Sequence, residues 1–306
     1  MKNFLQAIQL LDEEGDDHGP TQEDLEAADD DPERQSNNKQ WTLLYHAFSC
    51  VEKLIENQDK KSTIAMCTEL GLPKHLLLFA QYHQSYWIRL VCQRLLGHIF
   101  SSQRESKGDL IMMLGLDVPE QLVNFTYDFI NCLNKPIYQE EMKNQIIKNL
   151  IFLAQAMISK QQEDEATPEV TKLFRKISYI GRKAMLDIRT SQDCLETILQ
   201  FFQASFALKV GESGTDFMKL VCGPVLELVY RTYTDEQYAK GSIIKDVSLE
   251  IVELLQRDLD KPFFIDTYNK VKASILQKRL DRRVKQKQLV ATEEGLAMRQ
   301  NKRSRK

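Results

Sequence analysis

From Gln40 to Tyr268 apolar residues recur with the 3.6-residue period of a helix and almost never with the strict alternation of a half-buried strand. A run of this kind restricts the chain to an all-α fold, because a period of 3.6 cannot keep one face of a strand apolar. Leu44, Phe48, Val51 and Ile55 line one face of an expected helix over Gln40–Asn57, with Leu43, Ala47 and Leu54 beside them. Between such segments stand Gly71-Leu72-Pro73, Asp117-Val118-Pro119, Lys135-Pro136, Thr167-Pro168-Glu169, Gly223-Pro224 and Lys261-Pro262, each read as a helix end. Thr167 suits an N-cap, with Pro168 at the first helical position, where its missing N–H costs nothing. The spacing predicts about ten helices with short connections.

How these helices are covered narrows the architecture further. Over Tyr138–Lys160 the pattern turns apolar nearly all round at Leu150 to Ala154, which requires neighbours on more than one side. That fits stacked helical pairs better than one layer on a sheet. Tyr86 to Gly97, preceded by the apolar helix Lys74–Tyr82, opens on an apolar-Arg pair like the second helix of a HEAT repeat. The turn before it reads His83-Gln84-Ser85, without the aspartate such repeats often place there, and the match weakens over Lys245–Leu255. The expected fold is an irregular HEAT/armadillo-like α-solenoid of stacked helix pairs with a basic C-terminal helix or tail; a compact helical bundle is the fallback. The division predicted is a short helix over 1–11, an acidic disordered linker over 12–39, the solenoid over 40–262 and a basic helix and tail over 263–306.

Charge polarity, not net charge, carries the functional signal. Asp12 to Arg34 holds twelve acidic residues and one arginine, whereas Lys270 to Lys306 holds thirteen basic residues and three acidic ones. Removing −11 and +10 from the formal charge of −3 leaves −2 for the body between them. An acidic arm suits a solvated linker or a mimic of nucleic-acid charge, and a basic tail suits nucleic acid or an import receptor.

Several function classes lose support. Six cysteines lie 15 or more residues apart in helical or apolar contexts, as reduced thiols of an intracellular protein do. Five histidines never approach a His-Glu-x-x-His or Cys/His spacing, so no metal site is expected. Gly211-Glu212-Ser213-Gly214 lacks the lysine of a phosphate loop. No catalytic constellation, cofactor site or small-molecule substrate is expected. The first twenty residues lack a secretory pattern and no stretch of about 18 apolar residues exists, so neither secretion nor a membrane is expected.

Two basic elements are candidates for RNA contact. On the expected helix Glu169–Arg189, Leu173, Phe174, Ile177, Ile180, Ala184 and Ile188 collect on one side. Lys172, Arg175, Lys176, Arg182 and Lys183 collect on the other with Tyr179 among them, a pattern in which cations neutralise phosphates and a ring stacks on an unpaired base. A solvated charged face is the bland alternative. Farther on, Phe264, Tyr268, Val271 and Ile275 keep an apolar stripe, after which Lys278, Arg279, Arg282, Arg283, Lys285 and Lys287 charge most of the circumference of a helix expected to project. Lys302, Arg303, Arg305 and Lys306 form a nuclear-localisation candidate.

The blocks Tyr86 to Val91, Gln145 to Ala154, Leu173 to Lys183 and Ser248 to Leu255, in this order and with the basic terminus after them, resemble a known family. It is the C-terminal region of the giant HEAT-repeat protein of the small-subunit processome, the down-regulated-in-metastasis family, and the likeness runs over roughly residues 40–306. The resemblance implies a non-enzymatic α-solenoid scaffold acting in nucleolar pre-ribosomal RNA processing, with pre-ribosomal RNA and processome proteins as partners. It also implies that this chain is either a fragment of a much longer protein or a short product. A nuclear transport adaptor gripping basic cargo through the acidic arm is the alternative.

Overall fold

Proline and glycine mark several of the helix starts. Pro32, Pro119 and Pro168 each open a helix, where the absent N–H is one the helix would leave unpaired anyway. Gly71 turns the chain with φ +67°, in the left-handed region that glycine enters at no steric cost, just ahead of Leu72. The computed structural model describes residues 32–303 except 58–61, 63–64, 66–68, 83–84, 107–113, 115–118, 136, 138, 160–167, 187, 211–213, 237 and 239–241. Side chains within these are described from Thr42 to Gln288, other than 57, 82, 102–106, 119–120, 159, 168 and 188–191.

The described residues form ten α-helices, with no strand among them: α1 (Pro32–Asn57), α2 (Leu72–Tyr82), α3 (Tyr86–Ser106), α4 (Pro119–Ile130), α5 (Glu140–Ser159), α6 (Pro168–Ala184), α7 (Ile188–Ala207), α8 (Gly214–Thr234), α9 (Ile243–Asp258) and α10 (Lys261–Arg303). One 3-10 turn, Asn131–Asn134, follows α4.

Their packing order makes the solenoid visible. Odd-numbered helices stack in sequence, α1 on α3, α3 on α5, α5 on α7 and α7 on α9; even-numbered helices stack as α2, α4, α6, α8, α10. Antiparallel neighbours α2/α3, α4/α5, α6/α7 and α8/α9 tie the two layers together. The apolar residues between the layers form one continuous core from Leu44 to Phe264. Its densest part is a ring cluster: Phe174 of α6 lies 5.3, 5.6 and 5.5 Å from Phe201, Phe202 and Phe217. Close crossings need small residues, and a Cβ on Gly181 would meet Leu228 Cδ2 of α8 at 2.5 Å.

Apolar burial is non-directional, so register between neighbours needs polar contacts. Arg94 of α3 grips both oxygens of Glu52 of α1 at 2.6 and 2.9 Å. Asn149 of α5 donates to the Gln93 carbonyl and side-chain oxygen of α3, both at 2.9 Å. Lys143 of α5 meets Glu196 of α7 at 3.1 Å with both side chains over nine-tenths buried. Thr232 of α8 and Ser248 of α9 share a hydrogen bond of 2.7 Å.

Three boundaries differ from the sequence reading. α1 starts at Pro32, eight residues ahead of Gln40, because proline followed by Glu33 makes a favourable first turn. α6 ends at Ala184: Leu186 N–H closes on the Lys183 carbonyl at 2.9 Å, and Ile188 opens α7 instead of extending the stripe of α6. Gly223-Pro224 does not end a helix but lies inside α8, and the Ser178 hydroxyl of α6 donates to the Pro224 carbonyl at 2.8 Å. Proline tolerates an interior position where neighbouring helices hold both flanking turns.

α10 spans 43 residues, about 65 Å at the helical rise of 1.5 Å per residue. Its first turns lie on α8 through Phe264, Tyr268 and Ile275, with the Tyr268 ring 5.6 Å from Tyr230. From Leu276 to Gln288 every side chain is exposed. Residues 1–31, which hold the expected N-terminal helix and most of the acidic linker, lie outside the described residues. None of the described helices is long and apolar enough to cross a membrane.

Candidate nucleic-acid interface

The basic face of α6 is present, but its five cations do not stand alike. Leu173, Phe174, Ile177, Ile180 and Ala184 are buried, which turns the opposite side of the helix outward. There Arg175 and Lys183 are exposed and make no ion pair among the described residues. Lys172 is exposed as well and lies 3.8 Å from Glu169 one turn back, a contact of small energetic weight at a solvated site. Lys176 turns away instead: its ammonium donates to the Tyr127 carbonyl of α4 at 3.1 Å and sits 4.5 Å over the Tyr127 ring. Burial holds its pKa below the ordinary lysine value, with Asp128 pulling the other way. Its place on α6, between Tyr179 and Arg175 in sequence, gave no sign of this.

Tyr179 is 52% exposed, the largest ring on this face. Arg182 and Lys183 both lie over it, the guanidinium carbon 5.6 Å and the ammonium 5.8 Å from the ring centroid. Cations near the faces of a ring both fix its orientation and remain available to an anion beside it.

Arg182 also reaches the next helix, and there the two basic elements meet. Its guanidinium donates to Glu227 Oε1 of α8 at 2.5 Å. Lys278 of α10 donates to the same oxygen at 3.0 Å, and Arg231, one turn along α8, lies 3.5 Å from it. One carboxylate thus faces three cations. Burial alone would push the Glu227 carboxyl up, but the hydrogen bond from Lys278 and the charges of Arg182, Lys278 and Arg231 outweigh it and hold it below the ordinary range. Arg231 is held below its ordinary value by burial, and by the like charges of Arg182 and Arg282, against the pull of Glu227. The buried Nε–H groups of Arg182 and Arg231 have no hydrogen-bond partner among the described residues.

Beside this cluster a groove of about 320 Å³ runs between α6 and α10 with α8 as its floor. Arg175 and Ser178 form one wall, Thr267, Lys270, Val271 and Ser274 the other, and Gly223, Pro224 and Glu227 the base. Lys270 lies 2.7 Å from Asp266. A floor of glycine and proline carries little side chain above the backbone, which leaves the groove open.

The rest of the expected basic set lies farther out. Arg279, Arg282, Arg283, Lys285 and Lys287 are all exposed along α10, with Arg282 still near enough for its charge to act on Arg231 of α8, and none makes an ion pair among the described residues. Lys302 and Arg303 close α10 with side chains outside the description, and Arg305 and Lys306 lie outside the described residues. Sequence reasoning missed Glu227 and Arg231. The signal was thin: the two lie one helical turn apart on α8, and the other partners of Glu227 are 45 and 51 residues away.

Other groupings have structural explanations. Glu52, Glu56 and His98 bring ligand-type atoms within 4.8 Å of one another, but Arg94 occupies both oxygens of Glu52 and the cluster ties α1 to α3. Burial pushes the thiols of Cys132, Cys194 and Cys222 up to about 12 and that of Cys92 well above its ordinary value, the reverse of what a nucleophilic cysteine requires. Cys67, His18, His83 and Gly211 to Ser213 lie outside the described residues.

Residues 31–306 match the family described as small subunit processome component 20 homolog, C-terminal. The chain is 26% identical over 272 residues to the U3 small nucleolar RNA-associated protein 20 of Schizosaccharomyces pombe (strain 972), covering 86% of this chain and 10% of that protein. It therefore spans about a tenth of the length of the curated relative it matches. With the family match extending over nearly all of a two-layered helical array, the chain belongs to the C-terminal family of small subunit processome component 20 homologues.

Proposed function

We propose that this chain is a non-enzymatic scaffold segment of the small-subunit processome, acting in nucleolar pre-ribosomal RNA processing and small ribosomal subunit biogenesis. The observation that carries this reading is the family match over residues 31–306, joined to a cationic face on the even-numbered layer. The relative's association with the U3 small nucleolar RNA makes RNA of the pre-ribosomal particle the natural counterpart of that face. Arg175, Tyr179, Arg182, Lys183 and Lys278 supply the contacts near the body, and Arg279, Arg282, Arg283, Lys285 and Lys287 extend them along α10. Lys172 joins at the edge, while Lys176 serves the α4/α6 junction. Lys302, Arg303, Arg305 and Lys306 act in nuclear import.

A solenoid suits this role because each layer touches only its neighbours, leaving long surfaces open to partners. The test is fractionation of cell extract containing the tagged full chain. Co-sedimentation with pre-ribosomal particles is expected, dispersing when the RNA is digested. Migration with a transport GTPase and none with the particles would favour the adaptor reading instead.

A further inference from the structure

We infer that the groove between α6, α8 and α10 is a phosphate subsite for single-stranded RNA, and that Glu227 is its counter-ion, lowering affinity until a phosphate takes its place among the cations. The inference rests on the reading of this face as an RNA surface and locates a defined site within it.

Three observations converge on Glu227, which lines the groove. First, charge is out of balance. Arg182, Arg231 and Lys278 share one carboxylate oxygen, and Arg282 adds a fourth positive charge close enough to disfavour the charge on Arg231. A purely structural ion pair needs one partner; three around one oxygen leave a surplus that attracts an anion. Second, buried donors are unspent. The Nε–H groups of Arg182 and Arg231 have no partner among the described residues, and a buried donor without an acceptor costs free energy that an incoming oxyanion recovers. Third, there is room. The groove that Glu227 lines has about 320 Å³, with the hydroxyls of Ser178, Thr267 and Ser274 and the exposed Arg175 in its walls, and the space above Gly223 of α8 is open.

The surroundings favour RNA over an acidic peptide. Arg182 touches both Glu227 and the Tyr179 ring, so an anion bound in the groove lies one residue away from an exposed aromatic surface. A nucleotide presents a phosphate and a flat base together, whereas an aspartate or glutamate side chain has nothing to lay on the ring. Glu227 sets the sensitivity of the site. Its single charge holds Arg182 and Lys278 in place across three helices and competes with the ligand's own negative charge.

The test uses the full chain and a fluorescent single-stranded oligouridine, with affinity read across a salt series. Glu227→Gln keeps the hydrogen-bonding shape and removes the competing charge, so oligouridine binding is expected to tighten about three- to tenfold and its salt dependence to steepen by about 0.7 per phosphate gained. Arg175→Gln, on an exposed side chain without an ion pair, is expected to weaken binding and flatten the slope by a similar amount. Tyr179→Ala is expected to weaken single-stranded binding about five- to a hundredfold. Arg257→Gln on α9 is the charge-loss control and is expected to change nothing.

Unchanged affinity in both Glu227→Gln and Arg175→Gln overturns the groove as a subsite while RNA binding by the parent leaves the wider reading standing. No binding of oligouridine by the parent overturns the RNA reading itself. Polyglutamate that binds as tightly as oligouridine and answers to the same substitutions assigns the groove to an acidic protein and overturns the inference. Should Glu227→Gln fail to fold, the Arg175→Gln and Tyr179→Ala slopes decide it.

Discussion

Truncating Phe174 to alanine should do more damage than any other single truncation on α6. The ring is fully buried and lies 5.3 to 5.6 Å from three other rings, with the Phe202 ring nearly parallel to it at 19°. Phe→Ala in a packed core costs about 3–5 kcal/mol in lost transfer energy and residual cavity. Each aromatic neighbour adds about 0.5–1.5 kcal/mol beyond burial, and the surrounding rings are held by α7 and α8, so the cavity cannot collapse. These put the loss near the top of the range, about 5 kcal/mol. For a body of this size each kcal/mol lowers Tm by about 2–4 °C, which gives a fall of about 10–20 °C. In a stacked array the loss also uncouples the layers on either side, so thermal unfolding followed by far-ultraviolet circular dichroism should broaden or divide into two steps. Tyr179→Ala, on the exposed face of the same helix, should stay within about 0.5 kcal/mol of the parent. A Phe174→Ala protein melting within about 2 °C of the parent would show that this cluster does not hold α6 in the array.

Further outcomes follow from the polar contacts and the close crossing. Lys143→Ala strands Glu196 in the interior and should cost about 3–5 kcal/mol, whereas Lys143→Met with Glu196→Leu should recover most of it; denaturant midpoints check both. Gly181→Ala places a methyl 2.5 Å from Leu228 and should cost about 1–3 kcal/mol, with Leu228→Ala lowering that increment in a double-mutant cycle. Because Glu227 is held below the ordinary carboxylate range, its contribution is present above the unfolded-state pKa of about 4.3 and is lost as pH falls through the lower folded value. Glu227→Gln should therefore be less stable than the parent at neutral pH and lose less on acidification, read from urea midpoints at successive pH values.

The helical class and its buried stripes were legible because period 3.6 is a local property, and Leu44, Phe48, Phe174 and Ile177 are all found inside as their spacing demands. Helix starts at Pro119 and Pro168 were legible for the same reason. Gly223-Pro224 misled because local chemistry says that proline ends a helix, while α6 and α10 packed around that turn hold it together. Lys176 misled because its helical position is shared with Lys172 and Lys183, and only the arrival of Tyr127 from α4 buries it. The Glu227 cluster was illegible in principle: it joins three helices, and no periodicity within one of them encodes a partner 51 residues away.

Ultraviolet crosslinking of the full chain to RNA in isolated pre-ribosomal particles, with the crosslinked peptides identified by mass spectrometry, tests the central claim most directly. The account predicts nucleotide adducts on the α6 peptide that contains Tyr179 and on the stretch of α10 that contains Lys278, both lost when Arg175 and Lys183 are replaced by glutamate. Adducts confined to the odd-numbered helices, or none on this chain in particles that contain it, would contradict the account.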